Sequence, residues 1–161
     1  MTDYLKSLSQ SKNEILSKPY LARSKKFLNQ FSEFLPLQLE STIVDVGCST
    51  GQIVGWLQSI GYKNSVGVDS DKFSIRHGQS HGIANLHVDD LFDFIVRLDD
   101  DSVSLFILRD ITEHLSKNRL EEVLDLIFSK LSKGGYVWIQ TPNALSPAAN
   151  SMLFGDWTHK W

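Results

Sequence analysis

The run Thr42-Ile43-Val44-Asp45-Val46-Gly47-Cys48-Ser49-Thr50-Gly51-Gln52 restricts the fold of this chain more than any other stretch. Ile43, Val44 and Val46 make an apolar strand with little polar alternation, the pattern of a parallel strand covered on both faces. Gly47 and Gly51 bracket Ser49 and Thr50, small residues that turn easily. Ile53, Val54 and Leu57 then recur at helical spacing, with Gly55 where a helix can pack close to a sheet. A strand that passes through glycines into a helix N-terminus makes a crevice where backbone can approach a ligand. Taken alone, the run is equally a plain turn between a core strand and a core helix. The dinucleotide fingerprint G-x-G-x-x-G is not met, because Ser49 stands at its second glycine.

From residue 42 onward strand and helix patterns alternate, which predicts an α/β fold with a parallel sheet. Ser65 to Val68 reads as a second strand ending on Asp69, and residues 71–80 as a helix that Gly82 breaks. Asn85 to Val88 is a third strand ending on Asp89-Asp90, and Leu91 to Leu98 a short helix or turn. Val103 to Leu108 is a fourth strand, leading to Arg109-Asp110. Ser116 to Leu131 is a long amphipathic helix with Ser116 as its cap. Its buried face is marked by Leu120, Val123, Leu124, Ile127, Phe128 and Leu131, and Gly134-Gly135 is expected to end it. Tyr136 to Ile139 is a fifth strand, finished by Thr141-Pro142-Asn143. Residues 1–40 read as a helical segment, with Pro19 at the start of a second helix and Pro36 as its stop, ahead of a domain over 41–161. That second helix pairs Phe27 with Phe31, and packing on the core is its default role.

At 161 residues the chain fits one domain with a sizeable core. A net charge of −3 excludes the basic footprint of a nonspecific nucleic-acid binder, and Arg23, Lys25 and Lys26 read as a solvated helix face. No apolar run is long enough to cross a bilayer and no secretory leader is legible. The one cysteine, Cys48, cannot form an internal disulfide. A cytoplasmic protein without membrane contact is therefore expected. No Cys/His cluster has zinc spacing, and the pair His77/His81 at i, i+4 is a weak signal, so no metal is expected.

Ligands of open α/β sheets bind outside the carboxyl ends of the strands, at the point where strand order reverses. Asp69 falls 24 positions after Asp45, near the ~20-residue interval of an acid that binds ribose hydroxyls. A carboxylate suits a cis-diol because it only accepts and can take both O–H donors. The plain alternative for Asp69 is a turn former or helix cap.

Five ordered stretches resemble the class I S-adenosylmethionine-dependent methyltransferases (types 11, 12 and 23). Val44 to Gly51 is similar to the family's first motif, whose loop holds the methionine part of the cofactor. Gly67-Val68-Asp69 is similar to the second, where the acid binds ribose, and Val88-Asp89-Asp90-Leu91 to the third, where an acid or amide reads the adenine amino group. Spacing favours Asp90 for that contact, with Asp89 the alternative. Ser102 to Phe106 running on to Ile111-Thr112-Glu113-His114-Leu115 resembles the fourth-strand region, and Leu131 to Tyr136 with Thr141-Pro142-Asn143 resembles the stretch around the fifth. The resemblance implies a Rossmann-like open, mostly parallel sheet in the order 3-2-1-4-5, with helices on both faces. The family's sixth and seventh strands are expected to be missing here, as in a truncated chain, which leaves an open edge for a homodimer mate or a partner chain to cover. S-adenosylmethionine is the implied cofactor and S-adenosylhomocysteine the product. The implied cofactor contacts are Asp45, Gly47, Cys48, Ser49, Gly51, Asp69, Ser70, Asp89, Asp90, Leu91 and Arg109.

Methyl transfer from a sulfonium is an in-line displacement, so placement does much of the work, and an oxygen or nitrogen acceptor needs a base near its proton. His114, after the fourth strand, is the candidate catalytic base, and it can equally fix its loop together with Glu113. Asn143 and His159 are candidates for binding substrate, and Arg109 and Asp110 can orient a polar acceptor or pair with each other. Cys48 reads as a small loop residue rather than a nucleophile. Gly155-Asp156-Trp157-Thr158-His159 is similar to a segment of relatives encoded among polysaccharide and lipopolysaccharide genes, which points to a sugar or another small molecule as acceptor. The competing readings are a non-catalytic binding or interaction module that keeps the cofactor fold, and an NAD-type Rossmann domain, which Ser49 disfavours.

Overall fold

A computed structural model of the chain describes residues 32–143, 146 and 158–160. The helices expected within residues 1–31 and most of the closing stretch from Gly155 lie outside the described residues. Between them runs a five-stranded parallel sheet: β1 (Ile43–Val46), β2 (Ser65–Asp69), β3 (Leu86–Val88), β4 (Val103–Arg109) and β5 (Leu131–Gln140). The strand order is β3-β2-β1-β4-β5, as the resemblance implied. The connecting helices are α1 (Gln52–Ser59), α2 (Lys72–Ser80), α3 (Leu91–Val96) and α4 (Lys117–Lys130), with a single 3₁₀ turn at Thr112–His114.

The apolar run of β1 explains its place at the centre. It pairs with β2 on one edge and β4 on the other, Val44 facing Val66 and Phe106, Val46 facing Val68 and Leu108. All four of its residues are buried. Alternation then sends Ile43, Leu105 and Ile107 to one face, against Ile53, Trp56 and Leu57 of α1. Val44, Val46, Phe106 and Leu108 go to the other face, against Phe94 and Ile95 of α3 and Val123 and Ile127 of α4. A third cluster ties Cys48 and Val54 to Ile75 of α2 and Leu86 of β3. Leu35 and Tyr62 extend the first cluster, and the Tyr62 hydroxyl donates to the carbonyl of Pro36.

Caps set most boundaries. Ser116 caps α4 through the Arg119 amide, as expected, and Asp71 and Asp90 cap α2 and α3 by accepting two amides each. Three expectations change. Asn85 lies in the left-handed region (φ 56°), so β3 starts one residue later, at Leu86. The long helix stops at Lys130 rather than at Gly134-Gly135, because Leu131 turns extended and pairs with Val103 of β4. The glycines instead fall within an irregularity of β5, where Gly134 takes φ 81°. Phe128, expected on the buried face of that helix, is 80% exposed, since α4 turns only its Val123 and Ile127 line fully inward.

Gly78 positions α2 against the turn that follows β1. A Cβ there would come within 2.4 Å of the Thr50 carbonyl oxygen and 2.7 Å of Leu86 Cδ1. Alanine in an exposed helix interior ordinarily gains up to about 1 kcal/mol over glycine. Here the clash with rigid backbone outweighs that gain, and Gly78→Ala should destabilise the fold by about 1–3 kcal/mol. Urea unfolding checks this: an unchanged or higher midpoint would contradict the close approach.

Candidate functional site

The strand order reverses between β1 and β4, and their carboxyl ends open a cavity of about 280 Å³. Asp45, Gly47, Cys48, Ser49 and Arg109 line it, joined by Thr50, Gln52, Ile53 and Asp110. The loop leaving β1 alternates in handedness: Gly47 (φ 73°), Ser49 (φ 50°) and Gly51 (φ 70°) are left-handed. Such alternation aims successive backbone N–H groups inward, a concavity that suits an anion. One occupant is the chain's own. Asp69 Oδ2 accepts from the Ser49 amide at 2.7 Å, and Asp69 Oδ1 accepts from the Asp71 amide at 2.8 Å. The end of β2 thereby holds the loop after β1, while Gly47 and Cys48 donate to the Val68 carbonyl. Gly51 then opens α1 with no side-chain cap on its first turn, whose Gln52 and Ile53 face the cavity.

The electrostatics centre on Asp45. It is 3% exposed on the middle strand, and burial lifts its carboxyl from 3.8 to about 7, opposed by the Arg109 charge and assisted by Asp69. Arg109 Nε lies 3.3 Å from Asp110 Oδ2, an ion pair without hydrogen-bond alignment. Asp110 is itself left-handed (φ 52°), and this bend sends the chain from β4 into the 3₁₀ turn. Cys48 is buried with its sulfur against Gly67, and burial pushes its thiol well above the ordinary range. That fits a packing residue and not a nucleophile.

Other expected residues sit along the same edge of the sheet but outside the cavity. Asp89 pairs with Arg97, and Ser70 is exposed beside Asp69. Asp90 receives Phe92 N, Asp93 N and Arg119 Nη2, all on Oδ1, and Leu91 packs beneath it on the α3–α4 core. Beyond β4 a second group gathers. Glu113, 3% exposed, accepts from the Thr141 hydroxyl at 3.1 Å, and its backbone carbonyl accepts from the Lys160 amide at 2.8 Å. His114 Nδ1 lies 2.8 Å from the Thr158 hydroxyl, and the His114 and His159 rings meet edge to face at 4.9 Å. Asn143 is exposed just past β5. Sequence reasoning misses Thr50, Gln52 and Ile53 as lining residues, although their place directly after Gly47 is a signal. It names Glu113 only as a companion of His114, because no local spacing marks a carboxylate that becomes buried through distant contacts.

The comparisons agree with this fold. A family profile described as a methyltransferase domain matches residues 19–160. No curated protein matches significantly. Among solved structures, a SAM-dependent methyltransferase from Archaeoglobus fulgidus superposes with a TM-score of 0.74 at 24% identity, covering 90% of this chain and 67% of its own. An S-adenosylmethionine-dependent methyltransferase from Mesorhizobium loti gives 0.64 at 20% identity, covering 76% of this chain and 56% of its own. A DhpI–SAM–HEP complex gives 0.56 at 16% identity, with 86% and 69% covered. The chain thus spans roughly three fifths of the Mesorhizobium protein and two thirds of the Archaeoglobus one.

Asp45 gives stability a pH dependence of known sign. The folded chain keeps this proton up to about pH 7, whereas an unfolded aspartate releases it near 3.8. Between those values the folded state binds more protons, so the contribution of Asp45 to stability falls as pH rises from about 4 to about 7. Asp45→Asn should flatten that part of the profile. Unfolding midpoints from pH 4.5 to 7.5 test it, and parallel profiles for the two proteins would refute the assignment.

Proposed function

The chain belongs to the S-adenosylmethionine-dependent methyltransferase family, and from that premise we propose that it methylates a small-molecule acceptor, a sugar hydroxyl foremost. The observation that carries the reading is the meeting of the glycine loop, Asp69 and the Asp45/Arg109 charges at the one point where strand order reverses. The residues fit the cofactor. The cavity of about 280 Å³ offers a carboxylate, a guanidinium and an uncapped helix start. When bound, the cofactor supplies an electrophilic methyl on a sulfonium.

In this reading Asp45 opposes the cofactor's ammonium, while Arg109 and the N-terminus of α1 oppose its carboxylate. Gly47, Cys48, Ser49 and Gly51 bring backbone close without side-chain obstruction. Asp69 serves twice: each of its oxygens holds one amide and retains lone-pair capacity for a ribose hydroxyl. Asp90 offers Oδ2 to the adenine amino group, since its capping bonds fall on Oδ1, with Asp89 the alternative and Ser70 and Leu91 flanking the base. On the acceptor side His114 takes the proton of the attacking hydroxyl, and Asn143 and His159 hold the acceptor. The sugar is supported by the similarity of Gly155 to His159 to segments of polysaccharide-linked relatives.

Calorimetric titration with S-adenosylhomocysteine tests the cofactor half. Asp69→Ala should weaken binding at least 10-fold, roughly 1.4 kcal/mol, and Asp69→Asn less, because one acceptor oxygen remains. A folded wild-type chain that does not bind would sink the reading. An ammonium beside Asp45 should also draw off its proton. Binding at pH 6.5 should therefore release protons, seen as a heat that varies with buffer ionisation enthalpy, and Asp45→Asn should abolish the release. A methyl-transfer assay over a sugar panel tests the acceptor.

A further inference from the structure

Glu113, His114 and His159 come from two places far apart in the chain, yet each offers a ligand atom within 4.8 Å of the other two. We propose that they form a binding site for a divalent transition-metal ion of the Zn²⁺ class, placed beyond β4 on the acceptor side of the cavity. The inference rests on the methyl-transfer reading only for what the ion would hold, and with the ion bound His114 and His159 serve as its ligands in place of the base and acceptor contacts given them above.

Three observations make the cluster a site rather than a chance grouping. First, the donor set is two imidazoles and one carboxylate, which suits borderline ions and leaves coordination positions open. Second, the carboxylate is already desolvated and aligned. Glu113 is 3% exposed, and the Thr141 hydroxyl binds its Oε2. A buried carboxylate close to two imidazoles gains most from a shared cation, because the ion compensates the desolvation of all three. Third, the imidazole is oriented from outside. When the Thr158 hydroxyl accepts from Nδ1–H of His114, Nε2 keeps the lone pair that a metal needs, the arrangement that fixes metal-binding histidines generally. The Lys160 amide on the Glu113 carbonyl anchors the segment that carries His159.

The three ligand atoms stand somewhat wider apart than around a bound ion. Bonds of about 2.0–2.1 Å to a tetrahedral ion place ligand atoms about 3.3 Å apart, so the widest pair must close by about 1.5 Å. Rotation of the His159 ring, which meets the His114 ring edge to face, is the movement the site would use to close. The open positions would take a hydroxyl oxygen of the acceptor, so an acceptor with two neighbouring hydroxyls would gain a second bond to the ion. The rival arrangement is a metal-free Glu113–His114–His159 hydrogen-bonded relay.

The test uses the 161-residue chain stripped with a chelator, in a His77→Ala/His81→Ala background. That background removes the other imidazole pair, whose rings lie 4.4 Å apart on α2. Zn²⁺ alone should bind with one equivalent by calorimetry, and Co²⁺ should give visible d–d absorption. His159→Ala and Glu113→Gln should each lower Zn²⁺ affinity at least 10-fold. His159→Ala, on the partly exposed closing segment, guards against a variant that fails to fold, with circular dichroism as the check. No stoichiometric Zn²⁺ binding, or binding that His159→Ala leaves unchanged, would overturn the site and leave the relay. S-adenosylhomocysteine binding, measured on the same samples without metal, reports separately on the cofactor reading.

Discussion

Everything at the site follows from the constraint on β1. The strand is hydrogen-bonded on both edges and buried along its length, so the helix that follows it has to pack on a face of the sheet. The turn between strand and helix must let α1 pack back there. Left-handed residues at 47, 49 and 51 accomplish this, and glycine fills the two positions where a Cβ would run into Ile111 or Leu86. Ser49 accepts the remaining left-handed conformation, and its amide is held by Asp69. A non-glycine residue in that region is strained unless its surroundings fix it. The clasp between β2 and the loop after β1 is such a fixation, so the ligand crevice is built into the fold before any ligand arrives.

Charge is distributed around that crevice with a consistent sign. Asp45, Asp69, Asp110 and Glu113 all stand at or beyond the carboxyl ends of β1, β2 and β4, and Arg109 is the cation among them. Burial, with the Asp69 charge adding to it, makes the ionised form of Asp45 costly in the empty protein, and a neighbouring positive charge relieves that cost. Under the proposed function that charge is the cofactor's ammonium.

The sequence discloses the side of the site proposed for the cofactor more fully than the side proposed for the acceptor, for a physical reason. Gly47 to Gly51, Asp69 and Asp90 are read from strand ends, and a parallel sheet brings consecutive strand ends to one edge by topology alone. Local pattern is then sufficient, and the strand order follows with it. The burial of Glu113 depends on Thr141 and on the backbone of Lys160, 28 and 47 positions away, and no periodicity encodes those contacts. The same limit explains Phe128. Its spacing with Leu124 and Leu131 predicts an inward face, but the width of the face depends on how α4 lies against α3, which helical periodicity does not specify. Sequence pattern misplaces the end of α4 because pairing of Leu131 with Val103 outweighs the glycine signal that follows it.

The two halves of the site also differ in how they can tolerate change. The loop, Asp45 and Asp69 are fixed by the central strands, where any displacement disturbs backbone pairing on several sides. Thr158, His159 and Lys160 reach the site from a segment distant in sequence, through the Thr158 hydroxyl on His114, the His159 ring on His114 and the Lys160 amide on the Glu113 carbonyl. Under the proposed function, a fold with this division keeps its donor site constant while the elements around β4 and the closing segment vary the acceptor. Acceptor choice should then be decided by the side chains that Glu113 and His114 gather around them, and the glycine loop should have little influence on it.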